Sequence, residues 1–544
     1  MNLILYDNII SNLNIIIQTM FRVLGYFLLI IALISPISSF ADNDVMNLTL
    51  EQAKTLALEK NRDIQIQQKN VEIAGGEITK QEGAFDPLLF LSGSYTDSQT
   101  PTVSTFIESG SIEQKISGLE SGISGDLSTG TYYNLFNISL TRTETNSPIE
   151  SLSPNLFADL SFTVGQELLR NFGRDVNLTF VRNAKKDEKI SSSNLERTVS
   201  DVLFGVESDY WLLVAAKQNL ELEQEALKLA LDLQNRNEIQ VDVGVLPPVA
   251  VTQAQAEVAA RKVDVITAEN RLQRAEDRLK NRLVIPLETK IKPVDEPKNY
   301  ETKIDEDEAL QQAYKNRPEI QNVRLNIEKS EQLKHYYSNQ RLPSLSLEGS
   351  VELQGIGGDA NPDRLTFNNP PAPIPGQFNS QSDAINSVFG GDFPTWSILA
   401  TLQFPLFNRE AKGEYVKANA QLSRDIIDMN RIKDQVALEV RNAIREVINS
   451  KRAVDAALVS IKLRQEVVDN ETEKLSVGLA TTRDVLEAQR DLIDSQTSKI
   501  NAITEFNIAL VQLENVKGTI LQSNNIVIQD DNINYKNTYT PETN

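Results

Sequence analysis

The stretch 344-SLSLEGSVEL-353 alternates from end to end. Leu345, Leu347, Gly349, Val351 and Leu353 fall on one side, and Ser344, Ser346, Glu348, Ser350 and Glu352 on the other. A period of two marks a strand with one apolar and one polar face. The segment 396-WSILATLQF-404 repeats the pattern, with Trp396, Ile398, Ala400, Leu402 and Phe404 together. So does 156-LFADLSFTVG-165, although Phe157 interrupts its polar side. The segment 88-LLFLSGSYT-96 is a weaker fourth. Each is about ten residues long, the length of a transmembrane β-strand. A soluble sandwich uses the same alternation, so the strands alone leave both readings open.

The N-terminus reads as an export signal. In 20-MFRVLGYFLLIIALISPISSFA-41, Arg22 precedes an apolar run from Val23 to Ile34, and small residues follow to Ala41. That order matches a cleaved signal peptide over 1–41, with an alternative start at Met20 and a mature chain from Asp42. The other reading is a membrane anchor, for which the run is short. With no cysteine after the signal, a lipid-anchored mature end is not expected. No later apolar run is long enough to span a membrane as a helix, so any crossing is expected to be β.

The remainder of the chain is duplicated. Residues 51–94 align with 307–350 without a gap: Ala53 meets Ala309, Ala57 meets Ala313, Pro87 meets Pro343. The later helices align too, with Val243-Gly244 on Val477-Gly478 and Val251, Ala254 and Gln255 on Val485, Ala488 and Gln489. Each half reads helix, strand, insert, strand, long helix, glycine turn, helix. The first unit is 42–283 and the second 304–520, joined by a proline-bearing linker at 284–303. Residues 521–544 are polar and expected to be a disordered tail. Residues 355–394, rich in Pro, Asn and Gly, read as a loop. Residues 112–143 read as an additional β-hairpin turning near Ser128-Thr129-Gly130, and its relation to the other strands is open.

The long helices carry a heptad seam. Val440, Ile444, Val447, Lys451, Val454, Leu458, Ile461, Gln465, Val468, Thr472 and Leu475 step by four and three. The same register in the first half runs Val206, Tyr210, Leu213, Lys217, Leu220, Gln224, Leu227, Leu231, Gln234, Glu238 and Val241. Such spacing means coiled-coil packing. Residues 411–476 make roughly 100 Å of helix, a length suited to spanning a distance rather than filling a core. At its end, glycine supplies the left-handed turn at least cost. Thr481 and Asp484 then restart the helix as T-x-x-D, and Pro247-Pro248 suit the first turn in the other copy. Each half thus ends in a helical hairpin with a tip.

Composition removes whole classes of chemistry. The 544 residues include no Cys and one His, which excludes disulfides, thiol chemistry, His-centred triads and multi-His metal sites. A net charge of −21 argues against nucleic acid as a partner. No catalytic residue, metal or cofactor is expected. His335, in 331-EQLKHYYSNQR-341, is expected with Tyr336 and Tyr337 near a membrane–water interface. Two rival readings are an exported coiled-coil structural or surface protein without channel activity, and an exported carboxylate-based enzyme, for which no pair of acids is singled out.

Four strands cannot close a barrel, and an open edge cannot sit in lipid, so membrane strands have to be pooled from several chains. At this point the chain resembles the TolC family of outer-membrane efflux proteins over about 47–520. The likeness rests on 48-LTLEQAKTLALEKNRDIQ-65 and its second copy 307-DEALQQAYKNRPEIQ-321, on 403-QFPLFNRE-410, and on both tips. The resemblance implies an α+β membrane protein. It implies a homotrimer with a twelve-stranded β-barrel in the outer membrane of a Gram-negative bacterium, continued by a periplasmic α-helical barrel. It implies passive conduction as part of a tripartite efflux or type I secretion system. The implied partners are a periplasmic adaptor and an inner-membrane pump or ABC secretion ATPase.

The family's acidic periplasmic mouth, spaced D-x-x-D, falls on Asp484 and Glu487. Ala250 and Gln253 stand at the equivalent places of the first tip. An arginine often found near this tip falls on Ala480, with Arg483 three residues away. Asp484 has helix capping as an alternative role, and Glu487 that of a solvated face. Val243, Gly244, Val245, Val477, Gly478 and Leu479 are the implied adaptor-docking tips.

Overall fold

The computed structural model describes residues 45–107, 109–299, 304–365, 373–529 and 532–535. The signal segment and the start at Asp42 lie outside the described residues.

The chain opens with a short strand β1 (Met46–Leu48), then helices α1 (Leu50–Lys60) and α2 (Arg62–Glu82). One opening helix was expected; there are two, because Asn61 is extended and its side chain accepts from the N–H groups of Asp63 and Ile64 to start α2. α1 itself starts with a capping box between Thr49 and Gln52. The second half repeats the break. α6 (Glu306–Asn316) stops at Arg317, whose backbone is extended because Pro318 follows, and Pro318 opens α7 (Pro318–Gln340).

Strands β2 (Leu88–Pro101), β3 (Ser111–Asp126), β4 (Thr131–Thr145), β5 (Leu152–Glu167), β7 (Ser344–Ala360) and β8 (Phe393–Gln403) form one antiparallel sheet in that order. Four of these strands were expected from their alternation, and the place of the 112–143 hairpin was open; the sheet holds six. The 112–143 segment is a hairpin, and it lies inside the sheet between β2 and β5. The 355–394 loop is also corrected. β7 runs on to Ala360, and α8 (Gln381–Gly390) packs Ala384 and Val388 on Ala158 and Leu160. Gly355 permits this approach, since a Cβ there would lie 1.9 Å from the Ala384 carbonyl oxygen.

Below the sheet stand the long helices. α3 (Arg174–Asn177) leads into α4 (Thr179–Asp242), which returns as α5 (Val249–Leu283). In the second half, α9 (Arg409–Ser476) returns as α10 (Thr482–Lys517). α9 has 68 residues, about 100 Å at ~1.5 Å per residue. Two cores sit where the opening helices pack against these. One gathers Ala53, Ala57 and Ile64 with Leu203, Val206 and Tyr210. The other gathers Ala309, Ala313 and Ile320 with Val440, Ile444 and Phe506. The paired alanines of the two halves therefore do the same work.

The seam of α9 is buried at Val440, Ile444, Val447, Val454 and Val468. That of α4 departs from expectation below Leu213. The buried positions there are Ala226, Ala230, Leu233 and Asn237, and Leu231 turns outward. Alanine at two of them lets α5 approach closely, which a register fixed by leucines would prevent.

Linker and tail are both structured in part. β6 (Ile291–Pro293) pairs in parallel with β1. The expected disordered tail instead forms α11 (Ile520–Ser523), β9 (Ile526–Gln529) and β10 (Asn532–Tyr535), and Ile520 and Ile526 enter the first core. Hydrophobic burial of these two outweighs the polar composition around them. Residues 536–544 lie outside the described part.

Tyr210 fastens the linker. Its hydroxyl donates to the Asp295 carboxylate at 2.7 Å, has the Leu48 carbonyl at 3.0 Å, and accepts from the N–H groups of Val294 and Asp295. Burial, then the Asp295 carboxylate, pushes its pKa up to about 12, so it stays a donor. Tyr210→Phe should lower stability by about 1–3 kcal/mol, since Asp295 keeps only the Leu50 N–H donor and the Val294 and Asp295 N–H groups lose their acceptor. A thermal melt of the purified protein in detergent reads this directly.

Candidate channel wall and helical tips

The sheet has one apolar face throughout its second half. On β7 and β8 it comprises Leu347, Val351 and Leu353 beside Trp396, Ile398 and Leu402. Trp396 is 73% exposed and Ile398 70%. A contiguous apolar surface of this kind is an interaction surface, and at strand length it fits lipid. The opposite face carries Glu348, Ser350 and Glu352, with Ser350 and Ser397 hydroxyls 2.8 Å apart. β2 pairs only with β3 and β8 only with β7, so both outer edges are open among the described residues.

Where strands meet helices, Phe180, Tyr336 and Tyr337 stack edge to face at 5.2 Å centroid distances. Arg341 lies over the Tyr415 ring. This aromatic layer lies at the sheet's helical end, and His335 is exposed beside it.

The two tips close alike. Gly244 and Gly478 both have φ +77°, a left-handed value that glycine adopts without strain. Val245 N–H donates to the Gln240 carbonyl at 2.8 Å, and Leu479 N–H donates to the Lys474 carbonyl at 2.8 Å. These are six-residue closures that satisfy the orphan carbonyls of each helix end. They leave Val243, Val245, Val477 and Leu479 between 65% and 79% exposed. Four apolar side chains thus project at the two tips.

Asp484 is a cap. Its carboxylate accepts from the Thr481 N–H at 2.8 Å and from the Thr481 hydroxyl at 2.7 Å, while the Asp484 N–H donates back to that hydroxyl. The Thr481 backbone, then its side chain, holds the Asp484 carboxyl below its usual range. Capping does not hide the charge: Asp484 and Glu487 are both exposed, three residues apart on one face of α10.

Sequence reading missed what ties the two hairpins together. Glu257 on α5 is 4% exposed and takes Arg261 on its own helix at 2.8 Å and Arg490 on α10 at close range. Burial pushes its carboxyl up, but the Arg490 hydrogen bond and the two arginine charges outweigh this and hold it low. Nearer the tips, buried Asn237 donates to the Ala250 carbonyl at 3.2 Å and lies 3.5 Å from the Thr482 hydroxyl. The E-V-A-A-R spacing of Glu257 and Arg261 was legible; Arg490, 233 residues away, was not.

Among the described residues no three His, Asp or Glu side chains gather as metal ligands. No described helix is long and apolar enough to cross a membrane.

The chain is 28% identical over 140 residues to the outer membrane efflux protein BepC of Brucella suis, covering 26% of this chain and 31% of BepC, so the match spans about a third of that relative. It is 23% identical over 348 residues to the outer membrane protein TolC of Vibrio cholerae, covering 62% and 72%. Its fold is like that of the CmeC outer membrane channel of Campylobacter jejuni, with a TM-score of 0.61 at 16% identity over 87% of this chain and 86% of that one. The family model described as outer membrane efflux protein matches residues 55–283 and 309–519, and with most of its length so matched the chain belongs to that family.

Proposed function

We propose that this protein is the outer-membrane channel of a tripartite efflux or type I secretion system. Three copies pool their sheets into one barrel, and their helical hairpins extend into the periplasm as a tube. Substrate passes through without chemistry. An adaptor docks on the tips, and an inner-membrane pump or ABC secretion ATPase supplies the energy.

One observation carries this reading: a sheet with an exposed apolar face and two open edges stands on helical hairpins about 100 Å long. Open edges are tolerated in lipid only when closed by another copy. A coiled-coil surface protein has no need of such a sheet. Electron microscopy of the detergent-extracted protein should show hollow three-fold cylinders more than ~100 Å long. Solid or compact particles would sink the proposal.

Asp484 and Glu487 would place six carboxylates around the periplasmic mouth of a trimer and favour cations there. Because Asp484 also caps α10, alanine confounds charge with folding. Asp484→Asn with Glu487→Gln keeps an acceptor at the cap and removes only the charge. Reversal potentials in planar bilayers should show reduced cation selectivity for this variant; an unchanged value removes these residues from the aperture.

A further inference from the structure

The β3–β4 hairpin continues the sheet and carries on the alternation of its faces through their middle. On the apolar side one hydrogen-bonded row runs Leu91, Ser121, Ile138, Leu160, Leu353. Its neighbours add Leu89, Ile123 and Leu135 on one flank, and Leu119, Leu140 and Ala158 on the other. The opposite side reads Ser92, Glu120, Ser139, Asp159, Gln354. Phe90 and Ile116 are apolar exceptions there. With 16 and 15 residues, β3 and β4 match the 16 of β5 and 17 of β7. A bulge at Phe136 sets its ring 5.0 Å from Phe162 of β5, joining hairpin and sheet.

The apolar band also has the slope of a barrel wall. Leu399, midway along the run on β8, shares a row with Glu348, Gly165, Tyr132 and Asp126. That row runs off the start of β2, whose own apolar run centres near Ser92. The band thus climbs about six residues, or ~20 Å, over five strand spacings of ~4.8 Å each. A slope of about 40° is the strand tilt of a closed barrel.

The hairpin is anchored at the helical end as well. The Gly130 carbonyl accepts from the Glu167 N–H at 3.1 Å, and the Thr129 carbonyl accepts from the Gly173 N–H at 3.0 Å. Gly130 has φ +83°, and a Cβ there would lie 2.2 Å from the Asn171 carbonyl oxygen. The turn is seated on the strand-to-helix junction, where a free surface loop would have no contact.

We infer that β3 and β4 are part of the outer-membrane wall, their outer side against lipid acyl chains, so that each subunit contributes six strands. This rests on the trimeric channel reading, under which the barrel has eighteen strands. Barrel diameter grows roughly in proportion to strand number, so the outlet is about one and a half times as wide as a twelve-stranded one. The membrane section then admits bulkier cargo than a twelve-stranded outlet would.

The chain has no cysteine, so single cysteines report cleanly. Leu119→Cys and Ile138→Cys, both exposed and outside the patch that α8 covers, face lipid in this arrangement; Glu120→Cys and Ser139→Cys face the lumen. Val351→Cys and Glu352→Cys on β7 are the matching controls. With a membrane-impermeant maleimide on the protein in liposomes, the lipid-facing thiols should react at least about tenfold more slowly than the lumenal ones, because a thiol in hydrocarbon does not ionise. If β7 alternates while positions 119 and 138 react as fast as 120 and 139, the hairpin lies outside the wall and the inference fails alone. If β7 does not alternate either, the channel reading fails with it. Counting barrel strands in a high-resolution image of the unaltered protein needs no variant. Eighteen supports the inference and twelve overturns it.

Discussion

In the proposed channel, Arg490→Glu should open the tip end and raise single-channel conductance in planar bilayers several-fold. Glu257 is buried at the meeting of the two hairpins, and Arg490 is its partner from the second. Putting a carboxylate in place of that guanidinium sets like charges together around a desolvated group. Breaking a buried pair costs about 3–5 kcal/mol. Arg490 is itself 56% exposed and Arg261 stays on Glu257, so about 2–3 kcal/mol is the better figure here. Few other contacts join α5 to α10, so this loss falls on the joint between hairpins and spares both cores. The swapped pair, Glu257→Arg with Arg490→Glu, should recover part of the loss. A leak that the swap does not reduce would mean the residues act separately.

The same pair predicts an acid limit. The folded-state pKa of Glu257 lies below its ordinary value of 4.5. Its contribution is therefore fully present above that value and is lost as pH falls through the folded one. Conductance should be flat through neutral pH and rise only below about 4.5.

Val245→Asp together with Leu479→Asp should abolish export while leaving the protein intact. Both side chains are at least 70% exposed at turns whose backbone closures do not involve them. Exposed substitutions of this kind change stability by within about 0.5 kcal/mol, so the melting temperature should hold. An adaptor helix that packs on these side chains would instead meet two carboxylates in an apolar contact. The expected loss of affinity is at least about tenfold, or ~1.4 kcal/mol, in a pull-down with the adaptor. Retained export with retained melting temperature would move the docking surface away from the tips.

The tips were legible because helix ends are local chemistry. Gly244, Gly478 and the Thr481–Asp484 box act within six residues of themselves, and the structure places each as its spacing suggests. The alternation of 344–353 and 396–404 was legible for the same reason. The break at Arg317 is local as well, since Pro318 holds the preceding residue extended. The seam below Leu213 was misjudged because heptad counting assumes one partner throughout, and α4 changes partners along its length.

By itself, the sequence determined that its strands have an apolar side and that its long helices turn back at glycine tips. Each of these rests on contacts within a few residues or on simple periodicity. Only the tertiary structure decided that the 112–143 hairpin enters the sheet, that the tail returns to the core, and that Glu257 meets Arg490. Those outcomes depend on pairings across tens to hundreds of residues. No local spacing encodes such pairings, because the free energy that selects them appears only when the partners are brought together.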